Sequence, residues 1–553
     1  MIPRGSTVRA VCASALVAAV LVGANAIPVS GASPSSVVRT LNLSLPGPFN
    51  GCTILDPAAT PTTNAVLDLI RPSAFLTSQT GNLYGEGGAI ASAELVSLKP
   101  ETVVYTIARA QRWSNGDPFD GVDLVAWWLK AKSLASVQSD GYRDIRSLSE
   151  SNNGLSVTAT FSSDYAEWNL LFRDVEDVGM PTGCSWSSFL KRPTLGPYNL
   201  VAASAHRIVL TINKRWTLDP NRFQRIVITD SDVIPRSPSA FFVGYSLNVN
   251  RTTVEAVSTA PSVLSHIGMN STIAEITFAP GRPLTRSLLL REGLSWSLNR
   301  QALIDQLFGS VTFSASVASS ALYSQGQSAY PGGSGNGASA QSTTTTVTSK
   351  AQNGTLADCA TCAVSVLREA GYTLTPSGWR SASGTLLSVR VAVGPSQLDR
   401  AVAARVEGQW RGKGISVRSF VVASNEGAAR DSATNQTDVA IFMRPTTTTA
   451  SYTARSWSGP AYPDAYSSGI KSALFTKLFN AGVQNFNPVS ASVTWLDLDQ
   501  EIMNAFWIRP LFTAPSLIEW SNSISTVSSS ISVAGLVDQE VGWLASQVVP
   551  SGS

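Results

Sequence analysis

His206 and His266 are the only two histidines in 553 residues, so the side chain that most often moves protons in enzymes is nearly missing. A nucleophilic serine or cysteine generally needs such a base beside it. No Gly-x-Ser-x-Gly elbow, His-Glu-x-x-His zinc motif or Gly-x-x-x-x-Gly-Lys-Ser/Thr phosphate loop occurs, and Gly332-Gly333-Ser334-Gly335-Asn336 lacks the closing glycine of an elbow. Carboxylates such as Asp497 and Asp499 leave an acid-pair hydrolase open, but no spacing marks one. These residue types point away from an enzyme.

Binding chemistry is better represented. In Met443-Arg444-Pro445-Thr446-Thr447 a guanidinium stands beside hydroxyls. A guanidinium holds carboxylate or phosphate through two parallel hydrogen bonds, and threonine hydroxyls suit sugar or amide groups. An acidic or polyhydroxylated ligand at Arg444, Pro445, Thr446 and Thr447 is therefore expected, against the alternative of a surface arginine in a flexible loop. Tyr142 and Trp457 offer rings for stacking, and core packing is the plainer role for each. Cys359-Ala360-Thr361-Cys362 fits a structural disulfide, a redox pair or half a zinc site; with no second Cys-x-x-Cys, the structural role is expected.

The elements that must position these groups are legible as periodicity. In Val104 to Leu129, Tyr105 and Ile107 alternate as in a half-buried strand, and Trp113 leads into the turn Ser114-Asn115-Gly116-Asp117-Pro118. Asp120, with Asp123 three residues later, makes a capping-box start for a helix carrying Val122, Leu124, Val125, Trp128 and Leu129. Further on, Leu303, Ile304, Leu307 and Phe308 form a helical stripe between the cap Asn299 and the stop Gly309. Val402, Val406 and Trp410 form another, before Gly412 and Gly414 break the helix and Ile415 to Phe420 alternates as a strand.

The strand, Trp-Ser-Asn-Gly-Asp-Pro turn and capped helix of Val104 to Leu129 resemble the signature of the family 5 extracellular solute-binding proteins, the peptide, oligopeptide and nickel receptors of ABC importers. Gly196-Pro197-Tyr198 with the strand Ile208 to Ile212 and Arg215-Trp216, the segment Phe223 to Ile228, Leu290 to Arg300, Thr437 to Phe442 and Trp507 to Phe512 follow in the order of that family. The resemblance covers roughly Val37 to Val541. It implies an α/β fold of the two-lobed periplasmic-binding-protein type II kind, with mixed sheets, an extra domain and a hinged cleft. Lobe I is expected at 38–87, 194–281 and 506–548, the extra α/β domain II at 88–193, and lobe III at 282–505. The implied partners are a small-molecule or short-peptide ligand and an ABC permease, with the protein acting as a monomer. By the same resemblance Pro72 and Ser73 lie on a first-lobe loop at the cleft. The aspartate that pairs with a peptide's ammonium in related receptors falls near Thr447, and its aromatic neighbour near Arg444.

Composition and compartment agree. Charged residues are 14% and apolar residues 44% of the chain, which suits a globular protein. Net charge is +3 without basic runs, so no footprint for nucleic acid is present. Arg4, Arg9, the apolar stretch Ala10 to Val22 and Ala24-Asn25-Ala26 read as a secretory signal over 1–26, exporting the protein to the periplasm or envelope. Cys52, Cys184, Cys359 and Cys362 then remain and allow three pairings, of which Cys52 with Cys184 and Cys359 with Cys362 are favoured. Residues 324–357 are rich in Ser, Gly and Thr and read as a surface insertion, placed after Ala321-Leu322-Tyr323 where a lid over a cleft is conceivable.

Overall fold

The computed structural model describes residues 39–526 and 548–550, except 46, 57–58, 78–82, 135–138, 180–184, 217–222, 231–239, 247–248, 310–316, 326–329, 332–357, 447–449, 459–465 and 467. The signal at 1–26, Cys184, Thr447 and most of the insertion lie outside the described residues.

Two long antiparallel strands, Val263–Phe278 and Ile508–Ser521, form the middle of the large sheet. On one side, Val439–Pro445 pairs with the first of them, followed by Ser388–Val393 and Ser416–Val421 in parallel. On the other side Phe241–Ser246 pairs with the second, followed by Thr40–Ser44, Arg225–Thr229, Arg207–Ile212 and Tyr198–Ser204. Of the flanking strands, Ser388–Val393 and Arg225–Thr229 are short, rich in Val and Ile and largely buried, as strands covered on both faces should be. Halfway along the central pair the register slips: Met269 faces Pro515 and Ile273 faces Thr513, so three residues on one strand stand against one on the other. A bulge of this kind bends a strand and raises its twist, and here it lies between the two halves of the sheet.

Each half has its own core. Leu41, Val66, Ile70, Tyr198, Leu210 and Ile226 belong to the first. Ile276, Leu294, Leu303, Val391, Val406, Trp410 and Ile441 belong to the second, which is where the helical stripes read from sequence point. A third core lies on a separate four-stranded sheet of Ile90–Leu98, Glu101–Ile107, Ser156–Phe161 and Ile145–Ser151. A fourth gathers Tyr323, Tyr330, Ala454, Trp457, Phe475 and Leu498. Tyr330, at the start of the insertion, is thus packed into the protein and not displayed on its surface.

The helix Gly121–Ser133 begins with the expected capping box, the Asp120 carboxylate accepting from Val122 N and Asp123 reaching back to Asp120 N. Its buried face is Leu124, Trp127, Trp128 and Ala131; Val122 and Leu129 turn outward. The reason is Asp123, drawn inside to accept from Trp113 Nε1 at 3.2 Å and Val178 N at 2.9 Å, which rotates the helix around that anchor. Asn299 caps Arg300–Phe308 and Gly309 closes it, as read. Cys359 and Cys362 are disulfide-bonded, with Cys359 as N-cap of Ala360–Glu369. Cys52 is also disulfide-bonded.

Trp410 is fully buried, and its indole N–H donates to Leu294 O at 3.0 Å, tying Gln397–Gly412 to Leu288–Trp296. Trp410→Ala opens a cavity and removes that hydrogen bond, so urea unfolding is expected to lose about 3–5 kcal/mol.

Candidate functional site

Arg444 stands on the strand Val439–Pro445, opposite Ile273 on the central strand. It is 1% exposed, and its Nε donates to Glu275 Oε2 at 2.9 Å, on a carboxylate that is itself wholly buried. Nη2 donates to Ala321 O, and the guanidinium lies 5.5 Å from the centre of the Trp457 ring. Arg444 is therefore paired within the protein by Glu275, while its buried Nη1 and the Oε1 of Glu275 have no hydrogen-bond partner among the described residues. Thr446 is fully buried beside it and Pro445 ends the strand half-buried. Trp457 is fully buried, its ring in the fourth core. The structure thus brings Arg444 and Trp457 together as packed neighbours.

Tyr142 is also held inside. Its hydroxyl accepts from Trp127 Nε1 at 3.0 Å and from Phe172 N at 2.6 Å, and its carbonyl accepts from Trp128 Nε1. This fixes the core role for the ring. Pro72 O accepts from Val175 N, while Ser73 donates its N–H to Glu86 and accepts at Oγ from Asp174 N. Ser73 is fully buried, so Pro72 and Ser73 clamp two chain segments. Beside them Arg173 makes a two-pronged pair with Asp68, at 2.9 Å to each carboxylate oxygen.

Residues 140–167 meet residues 451–483 through polar groups that the sequence does not mark. Ser451 Oγ donates to Glu167, and Arg455 Nε donates to Asp140 Oδ2 at 2.9 Å. Ala166 N donates to Val483 O at 2.7 Å. The helix Ala450–Ser458 therefore lies against residues 140–167. Tyr165, Tyr323 and Tyr452 sit close enough to Glu167 for its charge to bear on their ionisation. Within residues 140–167, Gly141 lets the Tyr165 ring pack close: its φ is +78°, and an added Cβ would stand 2.4 Å from that ring. Asp-Gly-Tyr-Arg at 140–143 was the one local signal available; nothing in the neighbourhood of Glu167 or Tyr452 announces them.

Burial dominates the electrostatics. It raises the Glu86 carboxyl to about 8, against the hydrogen bond from Ser73 N, and the Glu167 carboxyl to about 7, against that from Ser451. Among the described residues no group of three or more His, Cys, Asp or Glu is placed to hold a metal ion. No helix among them is long and apolar enough to cross a membrane.

Two lobes sharing one sheet, with polar side chains meeting between them, define a binding protein of the type II periplasmic class. The chain belongs to the bacterial extracellular solute-binding proteins, family 5, whose middle-region profile matches residues 88–469. It is similar over 93% of its length to 96% of the periplasmic EDTA-binding protein EppA, with a TM-score of 0.75 and 15% identity. NikZ from Campylobacter jejuni, solved with Ni(L-His), matches 93% of this chain and 99% of its own at TM-score 0.70 and 12% identity. The oligopeptide-binding protein AppA from Bacillus subtilis, solved with a nonapeptide, matches 93% and 98% at TM-score 0.67 and 12% identity. Such identities carry the fold alone. In sequence, 151 residues are 26% identical to the probable monoacyl phosphatidylinositol tetramannoside-binding protein LpqW of Mycobacterium tuberculosis, 26% of this chain and 23% of that protein. The match thus spans under a quarter of that relative.

Two outcomes test this description. Arg444→Met leaves Glu275 as an uncompensated buried charge, so urea unfolding is expected to lose about 3–5 kcal/mol, while Arg444→Met with Glu275→Leu recovers most of it. The second concerns pH. The folded protein keeps protons on Glu86 and Glu167 where the unfolded chain has lost them, so their contribution is fully present below the ordinary glutamate value and is lost as pH rises through about 7 to 8. Denaturation midpoints are expected to fall over that window, and Glu86→Gln with Glu167→Gln to flatten the fall.

Proposed function

We propose that this protein is an exported solute receptor of an ABC importer. It captures a polar or peptide-like solute between its lobes and hands it, as a monomer, to a permease outside the cytoplasmic membrane. The observation that carries this reading is the interlobe contact itself: Ser451 with Glu167 and Arg455 with Asp140 join residues from opposite sides of a family 5 fold. In this reading, 38–87, 194–281 and 506–548 form lobe I, 88–193 domain II and 282–505 lobe III. The register slip between Met269 and Ile273 supplies the hinge about which they close. Signal cleavage before Ile27 precedes this. Transport energy comes from a separate ATPase, so no cofactor is required of the receptor.

A second reading has its own support. LpqW is named as a probable binding protein for a mannosylated phosphatidylinositol, and the partial identity to it favours a glycolipid-related role on the same fold, of which envelope assembly is one form. The ammonium-binding aspartate of peptide receptors falls near Thr447 here, and an ammonium buried without its counter-charge loses several kcal/mol in order of magnitude. That weakens the case for ordinary peptides under either role.

The test is native mass spectrometry of the mature protein from Ile27, before and after mild denaturation, together with an interlobe distance measured by paired fluorophores. The receptor reading expects a released solute whose return closes the lobes and stabilises the fold by about 2.7 kcal/mol at a hundredfold excess over Kd. A clean apo mass, with no closure by peptide or glycan pools, moves the assignment to envelope assembly.

A further inference from the structure

The Cys359–Cys362 disulfide joins residues only three apart. A cross-link constrains the unfolded chain more the longer the loop it closes, so a bond across so short a loop contributes little to stability. Nor does it fix the helix that begins there. Asp358 already sets the entry to Ala360–Glu369, its carboxylate accepting from Arg300 N at 2.5 Å, Arg300 Nε at 2.8 Å and Arg509 Nη2 at 2.8 Å. Ala363, Val366 and Leu367 then bury one face of the helix. Gly293 lets it pack so closely on Leu288–Trp296 that an added Cβ there would stand 2.8 Å from Leu367. Cys359 and Cys362 are themselves only half-buried.

What the fold supplies at this place is stabilisation of a thiolate. Cys359 is the N-cap of the helix, and Cys362 N donates to its Sγ at 3.2 Å, with the Thr361 hydroxyl 3.6 Å from the same sulfur. The N–H groups of a helix start carry partial positive charge, and a cysteine placed there ionises below its ordinary value. The adjoining carboxylate does not oppose this. Asp358 is shared by Arg300 and Arg509, both almost fully buried, so the three groups together carry a net positive charge. A sulfur that leaves readily as thiolate is what speeds exchange with another thiol, and half-exposure gives that thiol access.

We propose that Cys359 and Cys362 form a thiol–disulfide exchange site whose substrate is a dithiol. An incoming thiolate attacks Cys362 Sγ, and a new S–S bond forms there as the Cys359–Cys362 bond breaks and its electron pair leaves on Cys359. The substrate's second thiolate then attacks its own sulfur in the mixed disulfide. Cys362 leaves as thiolate and takes up one of the two protons the dithiol has given to solvent. Two electrons pass to the cysteine pair, and the substrate ends as a disulfide. This site stands apart from the solute site of the receptor reading and does not depend on it. A small molecule and a polypeptide can present the same dithiol, so the test separates these sources.

The protein carries its own control, because Cys52 is also disulfide-bonded and is 1% exposed. The mature chain is treated with dithiothreitol or with the reduced peptide Gly-Cys-Gly-Gly-Cys-Gly, alkylated at intervals, and each cysteine is followed by peptide mass. Cys359 and Cys362 are expected to become alkylated at least about tenfold faster than Cys52. Reaction with both reagents marks a polypeptide dithiol as a substrate, and reaction with dithiothreitol alone marks a small one. In Cys362→Ser, the Cys359 thiol, read by thiolate absorbance, is expected to ionise below about 7.5. Cys359→Ser with Cys362→Ser keeps a hydroxyl at the N-cap and is expected to leave the urea midpoint nearly unchanged. Reduction no faster than at Cys52, or a Cys359 value at about 8.5 or above, overturns the exchange site. A large fall in the midpoint of the double variant does so as well, by showing that the bond holds the fold.

Discussion

The pairing of Val263–Phe278 with Ile508–Ser521 is the constraint on which the rest of the molecule depends. Ile508–Ser521 is buried along almost its whole length, and both halves of the large sheet are built outward from this pair. It is a non-local pairing, closing more than two hundred residues, so its entropy of closure must be offset by burial on both faces. The ladder slips twice, between Met269 and Ile273 and again between Ala274 and Glu275, so the two ends of the pair are not in one continuous register. A continuous ladder would lock the halves as a single slab. The interruption leaves the halves joined by chain and by hydrogen bonds on either side, with a bend between them.

Buried charge follows from the same geometry. Strands covered on both faces should carry apolar side chains throughout, yet Glu275, Arg444 and Arg509 sit on them almost fully buried. Each is answered: Glu275 by Arg444, and Arg509 by Asp358, which also accepts from Arg300 Nε at 2.8 Å. Such pairs add little net stability, because desolvation offsets attraction, but breaking one is expensive. Their effect is to fix one arrangement of neighbours. Arg444 Nη2 holds Ala321, and Asp499 Oδ1 accepts from Ala321 N and Leu322 N, so the segment that ends in Tyr323 is set in place by charges from two other elements.

This explains why the fold was far more legible than the site. Capping at Asp120 and Asn299, and the stripe at Val402, Val406 and Trp410, are local patterns repeated at helical spacing, and a sequence displays them directly. The outward turn of Val122 and Leu129 escaped notice because Asp123 is pinned by Val178, 55 residues away. Arg444 looked like a receptor for an anion because its counter-ion lies 169 residues earlier. Glu167 meets the helix Ala450–Ser458 only through pairings such as that with Ser451, separated by 284 residues. No periodicity or spacing encodes contacts of that range. The family resemblance supplied the cleft, but the relatives' anchor position cannot report how this chain redistributed its own charges.

The insertion illustrates how far local composition reaches. Polar, glycine-rich sequence from Ser324 onward suggested chain that packs against nothing, yet its first turns are anchored. Gln325 N donates to Thr513 Oγ1 at 3.1 Å, and Tyr330 enters the core with its hydroxyl accepting from Ser319 N at 2.8 Å. At the far end, Asp358 and the Cys359–Cys362 disulfide begin the next helix. Arg300 joins the two ends, its Nη1 donating to Ala318 O at 3.1 Å and its Nε to Asp358 Oδ1. Once the ends of a loop are held together, each doubling of the length between them adds only about 0.6 kcal/mol of closure entropy. Sequence between Tyr330 and Asp358 is therefore free to vary in length and composition without disturbing Tyr323. Tyr323 is thus held from the side of the described chain by one arginine and two anchored ends.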